Sequence, residues 1–131
     1  MTEDLIVRTT RAGEEVIVSL EGELDLATMD AVRAALTAAV SPTAATVIVD
    51  IARLSFMDAS GLGLLIAAHR RCADAGCRLT LRHPTGVVER ILDIASPTHH
   101  LSVERRAPSG RLAADNPTLP TLAGGLRRAE G

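Results

Sequence analysis

Aromatic side chains are almost absent from this chain of 131 residues, in which Phe56 is the one aromatic residue. Proteins that bind single-stranded nucleic acid stack bases on aromatic rings, and many small-ligand pockets are lined by such rings. Lysine is absent too, and 14 arginines against 16 acidic residues leave a net charge of −2. That balance supplies no positive field for a polyanion. We therefore expect no nucleic-acid partner.

Long apolar runs and a cysteine framework are also missing. No segment approaches the ~18 apolar residues of a membrane span, and Met1–Asp4 lacks the basic start of a secretory leader. We expect a cytoplasmic protein with no membrane partner. Cys72 and Cys77 are too few for a disulfide framework and lack the ligands of a zinc site. Reduced thiols are expected, and a redox pair bonded across the Gly76 turn is the alternative.

Aliphatic residues supply the material for one folded domain. Hydrophobic residues make up 47% and charged residues 23% of the chain, which excludes disorder over most of its length. After Glu104 the composition changes to arginine, proline and glycine without hydrophobic periodicity. We therefore predict one domain over residues 1–103 and a flexible C-terminal tail over residues 104–131.

Hydrophobic periodicity divides the domain into strands and helices. Apolar runs of strand length are followed from Asp25 by residues spaced three or four apart, and that alternation recurs twice. The predicted strands are Leu5–Arg8, Val16–Glu21, Thr46–Ile51, Arg78–Leu81 and His99–Val103. Arg53–Met57 is predicted to be a loop, and Asp25 is predicted to cap the first helix. The predicted helical stripes are Leu26, Met29, Val32, Leu36 and Val40; then Leu62, Leu65, Ile66, His69, Cys72 and Ala73; then Val88, Ile91, Leu92 and Ala95.

The element order β-β-α-β-α-β-α-β predicts an α/β fold. Its first two strands form a hairpin, and each later strand follows a helix, so a mixed central sheet of four to five strands with right-handed crossovers is expected. The helices should lie mainly on one face. The nearly continuous apolar run Thr46–Ile51 predicts the central strand.

Enzyme templates do not fit the sequence. Ser60 lies in Asp58-Ala59-Ser60-Gly61-Leu62, which lacks the first glycine of a Gly-x-Ser-x-Gly elbow. Gly61 and Gly63 are followed by no Gly-Lys-Ser/Thr, so a nucleotide loop is incomplete. His99 and His100 have no acidic partners at ligand spacing. We expect no catalytic site, no metal and no cofactor.

One loop has the composition of a regulatory site. Asp58 to Gly61 fall at the start of the second predicted helix, where free N–H groups and partial positive charge favour a phosphate. A phosphoserine there would change the charge that the surface presents to a partner. The alternative is an ordinary helix cap, in which Ser60 is a cap or a partner contact.

Two separated motifs resemble the bacterial anti-sigma factor antagonists of the STAS family. Ile48-Val49-Asp50-Ile51 followed by Leu54–Gly63 is similar to the family signature, and Leu20–Asp25 is similar to its Gly-Glu-Leu-Asp segment. The resemblance covers about residues 5–103 and implies a STAS-like domain that is not an enzyme. It implies binding to an anti-sigma factor, usually a serine kinase of the histidine-kinase-like ATPase type, and release of a sigma factor.

The sequence departs from the family at the regulatory position. The family's phosphorylated serine directly follows the aspartate, and that position is Ala59 here. Ser60 is one residue further on and is the candidate phosphorylation site. Three interpretations remain open: Ser60 accepts the phosphoryl group, the protein stays permanently competent to bind, or regulation comes from elsewhere, such as Cys72 and Cys77. The second is favoured, because one residue along a helix turns a side chain by about 100°.

The resemblance also predicts a surface for the partner. Its residues come from both motifs and are Glu23, Leu24, Asp25, Asp58, Ala59, Ser60, Gly61, Leu62 and Gly63. The alternative function is a STAS interaction module in a non-sigma assembly, such as a sensor complex or a lipid-transport complex. A small hydrolase using Ser60 is disfavoured by the missing elbow.

Overall fold

A computed structural model describes residues 5–41 and 44–105, which form five strands and three helices. In chain order they are β1 (Leu5–Ala12), β2 (Glu15–Leu24), α1 (Met29–Ala39), β3 (Thr46–Met57), α2 (Ala59–Ala75), β4 (Arg78–Arg82), α3 (Gly86–His99) and β5 (Ser102–Glu104). The predicted order of elements is confirmed. Of the predicted tail, only residues 104 and 105 belong to the described part of the chain.

The strands lie side by side in the order in which they occur in the sequence, β1-β2-β3-β4-β5. β1 and β2 form the antiparallel hairpin, whose turn uses Gly13 at φ 64, a conformation that glycine adopts without steric cost. The other three pairings are parallel and each follows a helix. The sheet is therefore mixed, as predicted, and β3 is its central strand.

One face of the sheet carries the core. Alternate residues of β2, β3 and β4 are buried in a single cluster that also contains Val32 and Leu36 of α1, Leu65 of α2 and Leu92 of α3. Side chains alternate across a strand, so this cluster fixes which face the helices cover. The prediction of helices mainly on one face is confirmed. The sheet residues of the cluster are Val16, Val18, Leu20, Val47, Val49, Ile51, Leu79 and Leu81.

The opposite face of the sheet is mostly polar, although Ile6, Ile17 and Ile48 also lie on it. One row crosses all five strands in register and contains Arg8, Ser19, Asp50, Arg82 and Glu104. Within it, Arg82 Nε lies 3.2 Å from the Glu104 Oε1 atom. All five residues are exposed or half-buried. This face is open over the described part of the chain.

Three boundaries differ from the sequence-based expectation. Residues 53–57 were predicted as a loop, but β3 continues to Met57 because β2 extends to Leu24 and pairs with it across two register shifts. α1 begins at Met29 rather than at Asp25, which leaves Leu26 outside the helix. His99 closes α3 instead of opening the last strand. Pairing with β2 explains the longer β3, and a turn built by Asp25 explains the later start of α1.

Candidate functional site

The two predicted partner segments meet at one edge of the sheet, where β2 and β3 end together. Leu24 and Met57 are the last register partners of this parallel pair. One residue further, the Asp58 N–H donates a hydrogen bond to the Leu24 carbonyl oxygen at 3.2 Å. Segments separated by more than 30 positions in the sequence are thereby fixed against each other by the backbone.

The first segment is a turn built around Asp25. Its Oδ1 atom accepts hydrogen bonds from the backbone N–H groups of Ala27 at 3.0 Å and Thr28 at 3.2 Å. The Thr28 hydroxyl donates to the Glu23 carbonyl oxygen at 2.8 Å. Asp25 was predicted to cap the helix; it caps this turn instead, four residues before α1 begins.

The second segment is the capped start of α2. Asp58 has an extended backbone, and its Oδ1 atom accepts the Gly61 N–H at 3.0 Å. The Asp58 carbonyl oxygen accepts the Leu62 N–H at 3.0 Å, which begins the helical hydrogen-bond ladder. A side-chain acceptor at this position satisfies a donor that the helix itself leaves free. A helix cap is therefore present and is formed by Asp58, not by Ser60; it fixes the direction in which α2 leaves the sheet.

Gly61 lies in close contact with the end of β2. A Cβ atom at this position would be 2.7 Å from the Leu24 Cγ atom and 3.0 Å from the Met57 Cγ atom. A Cβ atom at Gly63, two residues along, would have no atom within 4 Å, and Gly63 is exposed. The first glycine allows α2 to approach the sheet closely, whereas the second lies on the outer side of the helix.

The predicted partner residues divide into an exposed, a half-buried and a buried set. Glu23, Ala59 and Gly63 are exposed. Asp25, Asp58, Ser60 and Leu62 are half-buried. Leu24 and Gly61 are buried, so they support the surface from beneath rather than forming it.

Sequence reasoning overlooked two apolar residues at this edge. Leu26 has 72% of its surface exposed and Phe56 42%. Leu26 was assigned to the buried stripe of α1, and Phe56 to a loop. Phe56 pairs in register with Glu23, so its backbone lies beside the first segment. The signal available in the sequence was that the single aromatic residue directly precedes the Met57-Asp58 junction.

A concavity of about 270 Å³ lies elsewhere, on the open face of the sheet. Its lining includes Arg8, Ser19, Asp50 and Arg53 together with Glu21. None of the predicted partner residues belongs to it. The edge formed by the two segments therefore lies apart from this cavity.

The two cysteines are joined. Cys72 and Cys77 form a disulfide with a Cα–Cα distance of 5.0 Å, which differs from the expected pair of reduced thiols and agrees with the alternative. Gly76 ends α2 in the left-handed conformation, at φ 84, and the chain reverses there. The reversal brings Cys77 back over the last turn of the helix.

Other chemistry is not assembled in the described part of the chain. Within residues 5–41 and 44–105, no three His, Cys, Asp or Glu side chains form a group that could hold a metal ion. His99 and His100 lie at the end of α3. Over the same residues, no helix has the length and apolar character needed to cross a membrane.

A family model described as "Mlab, STAS domain" matches residues 7–102 of the chain. Among characterised proteins, the chain is similar to the anti-sigma F factor antagonist of Lysinibacillus sphaericus, with 32% identity over 83 residues. That alignment covers 63% of this chain and 71% of the relative. The residues matched by the family model contain both motifs of the partner edge.

Solved structures show the same fold. An anti-sigma factor antagonist from Mycobacterium paratuberculosis superposes with a TM-score of 0.69 at 17% identity, over 78% of this chain and 86% of that one. The Bacillus cell fate determinant SpoIIAA in its phosphorylated form superposes with a TM-score of 0.62 at 25% identity, over 77% of this chain and 93% of that one. With the family model and the relative from Lysinibacillus, these matches establish that the chain belongs to the STAS-domain family of anti-sigma factor antagonists.

Proposed function

We propose that this protein binds an anti-sigma factor through the edge formed by Glu23–Leu26 and Phe56–Gly63, and so releases a sigma factor for transcription. The observation that carries the proposal is the Asp58 N–H bond to the Leu24 carbonyl, which joins the two family motifs into one surface. The protein acts by binding, in the cytoplasm, and catalyses no reaction. We expect the partner to be a serine kinase of the histidine-kinase-like ATPase type.

The shape of the edge supports protein binding. Ala59 and Gly63 lie one helical turn apart on the exposed side of α2, so a partner backbone can approach the helix closely. Leu26 and Phe56 provide exposed apolar surface at the same edge. Exposed apolar surface with a polar rim is typical of sites where proteins bind one another. The edge has both components.

Ala59 determines how binding is regulated in this proposal. Alanine has no oxygen to accept a phosphoryl group, and SpoIIAA, a structural relative, is known in a phosphorylated form. Ser60 is half-buried and lies about 100° around the helix from the exposed Ala59. The protein therefore remains competent to bind while a kinase partner has ATP.

The proposal predicts that ATP does not dissociate the complex. The purified protein is mixed with the anti-sigma factor encoded in its own genome, with and without ATP, while size-exclusion chromatography and intact mass are followed together. We expect a stable complex in both conditions and no phosphoryl mass on this chain. Ala59→Ser is the matched variant: restoring the hydroxyl should permit phosphorylation and dissociation if the partner is a serine kinase.

Each other outcome has a distinct meaning. A phosphoryl group on Ser60 of the wild type, with dissociation, would disprove permanent competence and place the switch one residue along. If neither the wild type nor Ala59→Ser is phosphorylated, the partner is not a serine kinase. Failure to bind any anti-sigma factor would contradict the main proposal and favour the non-sigma interaction module.

A second prediction concerns charge on the same edge. Ala59→Asp should weaken binding to the anti-sigma factor by about 10-fold or more, because a carboxylate beside Asp58 must be desolvated and repels acidic neighbours. Isothermal titration calorimetry measures the change. The control is Ala67→Asp, at an exposed position about 12 Å further along the same helix. Equal affinities for the wild type and Ala59→Asp would show that Ala59 is not part of the interface.

A further inference from the structure

The backbone holds Cys72 and Cys77 in position to bond. Cys72 lies in the last turn of α2 and is fully buried, and Cys77 directly precedes β4 and is half-buried. The Cys77 N–H donates to the Cys72 carbonyl oxygen at 2.9 Å, across the left-handed Gly76. Their Cα–Cα distance of 5.0 Å falls within the range that a disulfide spans without backbone movement. Main-chain contacts set this distance, so reduction need not separate the two residues.

A half-buried histidine precedes this pair on the same helix. His69 is three residues before Cys72 on α2, a spacing at which helical side chains are neighbours. Its Nδ1 atom is buried and has no hydrogen-bond partner in the described part of the chain, where most buried polar atoms have one. A disulfide sulfur has no proton to donate, whereas a thiol or thiolate at Cys72 can donate to or accept from an imidazole nitrogen. Reduction would therefore supply the missing partner.

We propose that Cys72 and Cys77 are a reversible thiol–disulfide site in the native protein, positioned by Gly76 and assisted by His69. Its co-reactant is a dithiol reductant, either a small molecule or a dithiol protein. This inference does not depend on the identity of the anti-sigma factor. It also adds a site at the opposite end of α2 from the partner edge.

The exchange proceeds through the more accessible sulfur. A thiolate of the reductant attacks Cys77 Sγ, the Cys72–Cys77 bond breaks, and Cys72 leaves as a thiolate. Cys72 takes up a proton, and at three-residue helical spacing its thiol can donate that proton in a hydrogen bond to His69 Nδ1. The second thiolate of the reductant then attacks the reductant's other sulfur, which is bonded to Cys77 in the mixed disulfide. Cys77 is released as a thiolate and is protonated. Two electrons and two protons pass to the protein, and the reductant becomes a disulfide.

The bond ties the end of α2 to the start of β4. Closing a loop restricts the unfolded chain, so breaking this short link should lower the melting temperature by about 5–10 °C without unfolding the protein. The full chain is equilibrated in buffers with graded ratios of reduced to oxidised dithiothreitol. Free thiols are then counted by alkylation and mass spectrometry, and melting temperatures are measured in parallel.

We expect two thiols to appear together in the folded protein, with reversal on oxidation. Cys77→Ser should melt near the reduced wild type and should not respond to the reductant. His69→Phe, which removes the nitrogen, should require about 3-fold or more reductant to reach half reduction, whereas His69→Asn should retain most of the wild-type behaviour.

Two results would overturn the proposal. One is that both thiols are free in oxidising buffer, since the pair would then not bond. The other is that thiols appear only when the chain unfolds, since the bond would then be a fixed structural link. If His69→Phe and the wild type share one midpoint, the assistance by His69 is disproved independently of the cysteine site.

Discussion

Leu24→Ala should lower the free energy of unfolding by about 2–5 kcal/mol, the range for truncating a buried leucine. Leu24 has 0% of its surface exposed and belongs to the hydrophobic core. Its Cγ atom also lies directly beneath Gly61. Truncation removes methyl groups from the core and opens a cavity at the base of α2. Urea unfolding followed by circular dichroism measures the loss.

Leu26→Ala is the matched control, because the residue type is the same and the position is two residues along. Leu26 is 72% exposed, so its truncation should change the unfolding free energy by less than about 0.5 kcal/mol. The same variant should weaken binding to the anti-sigma factor, since an exposed leucine at the edge is a contact in the proposed complex. Equal destabilisation by both variants would contradict the burial that distinguishes them.

Gly61→Ala and Gly63→Ala should change stability in opposite directions. At Gly61 the added methyl group would lie 2.7 Å from Leu24 Cγ and 3.0 Å from the Leu24 carbonyl oxygen, so the helix must move away from the sheet. Such overpacking costs about 1–3 kcal/mol. At Gly63 the methyl group meets nothing within 4 Å, and alanine is favoured over glycine in a helix by up to about 1 kcal/mol. Thermal and urea unfolding measure both.

Combining the substitutions separates the close contact from other effects of adding a methyl group. In a Leu24→Ala background the nearest obstructing atom is gone, so Gly61→Ala should cost less than it does in the wild type. Gly63→Ala should have the same effect in both backgrounds. Additivity for the Gly61 and Leu24 pair would show that the close approach of α2 does not depend on this contact.

The elements of the fold followed from the sequence where a local signal and the tertiary environment agree. The apolar stripe after Asp58–Gly61 predicted that the second helix starts within these residues, and α2 begins at Ala59. The extension of β3 through Arg53–Met57 was missed because its polar residues favour a loop. Pairing with the end of β2 through two register shifts keeps those residues in the sheet. The local sequence of residues 53–57 gives no information about this pairing with β2.

The candidate site was only partly predictable, because its motifs are local in the sequence and their contact is not. Its two motifs could be recognised separately, but their contact depends on β2 and β3 ending in register at Leu24 and Met57. Leu26 continued the helical spacing and was assigned to a buried stripe, although the Asp25 turn places it outside the helix. The cysteine pair depended on the Gly76 reversal, whose consequence for sulfur geometry cannot be read from spacing alone.

The order of the strands has a consequence for how the chain folds. Every strand pairs with the strand next to it in the sequence, so each pairing closes after one turn or one helix. The entropy cost of closing a loop grows with its length, so this order keeps each pairing less costly than a sheet in which sequence neighbours were not adjacent. The sheet can also grow in the direction of synthesis, from the β1–β2 hairpin to β5. Each strand leaving the ribosome then finds the edge that it completes already formed.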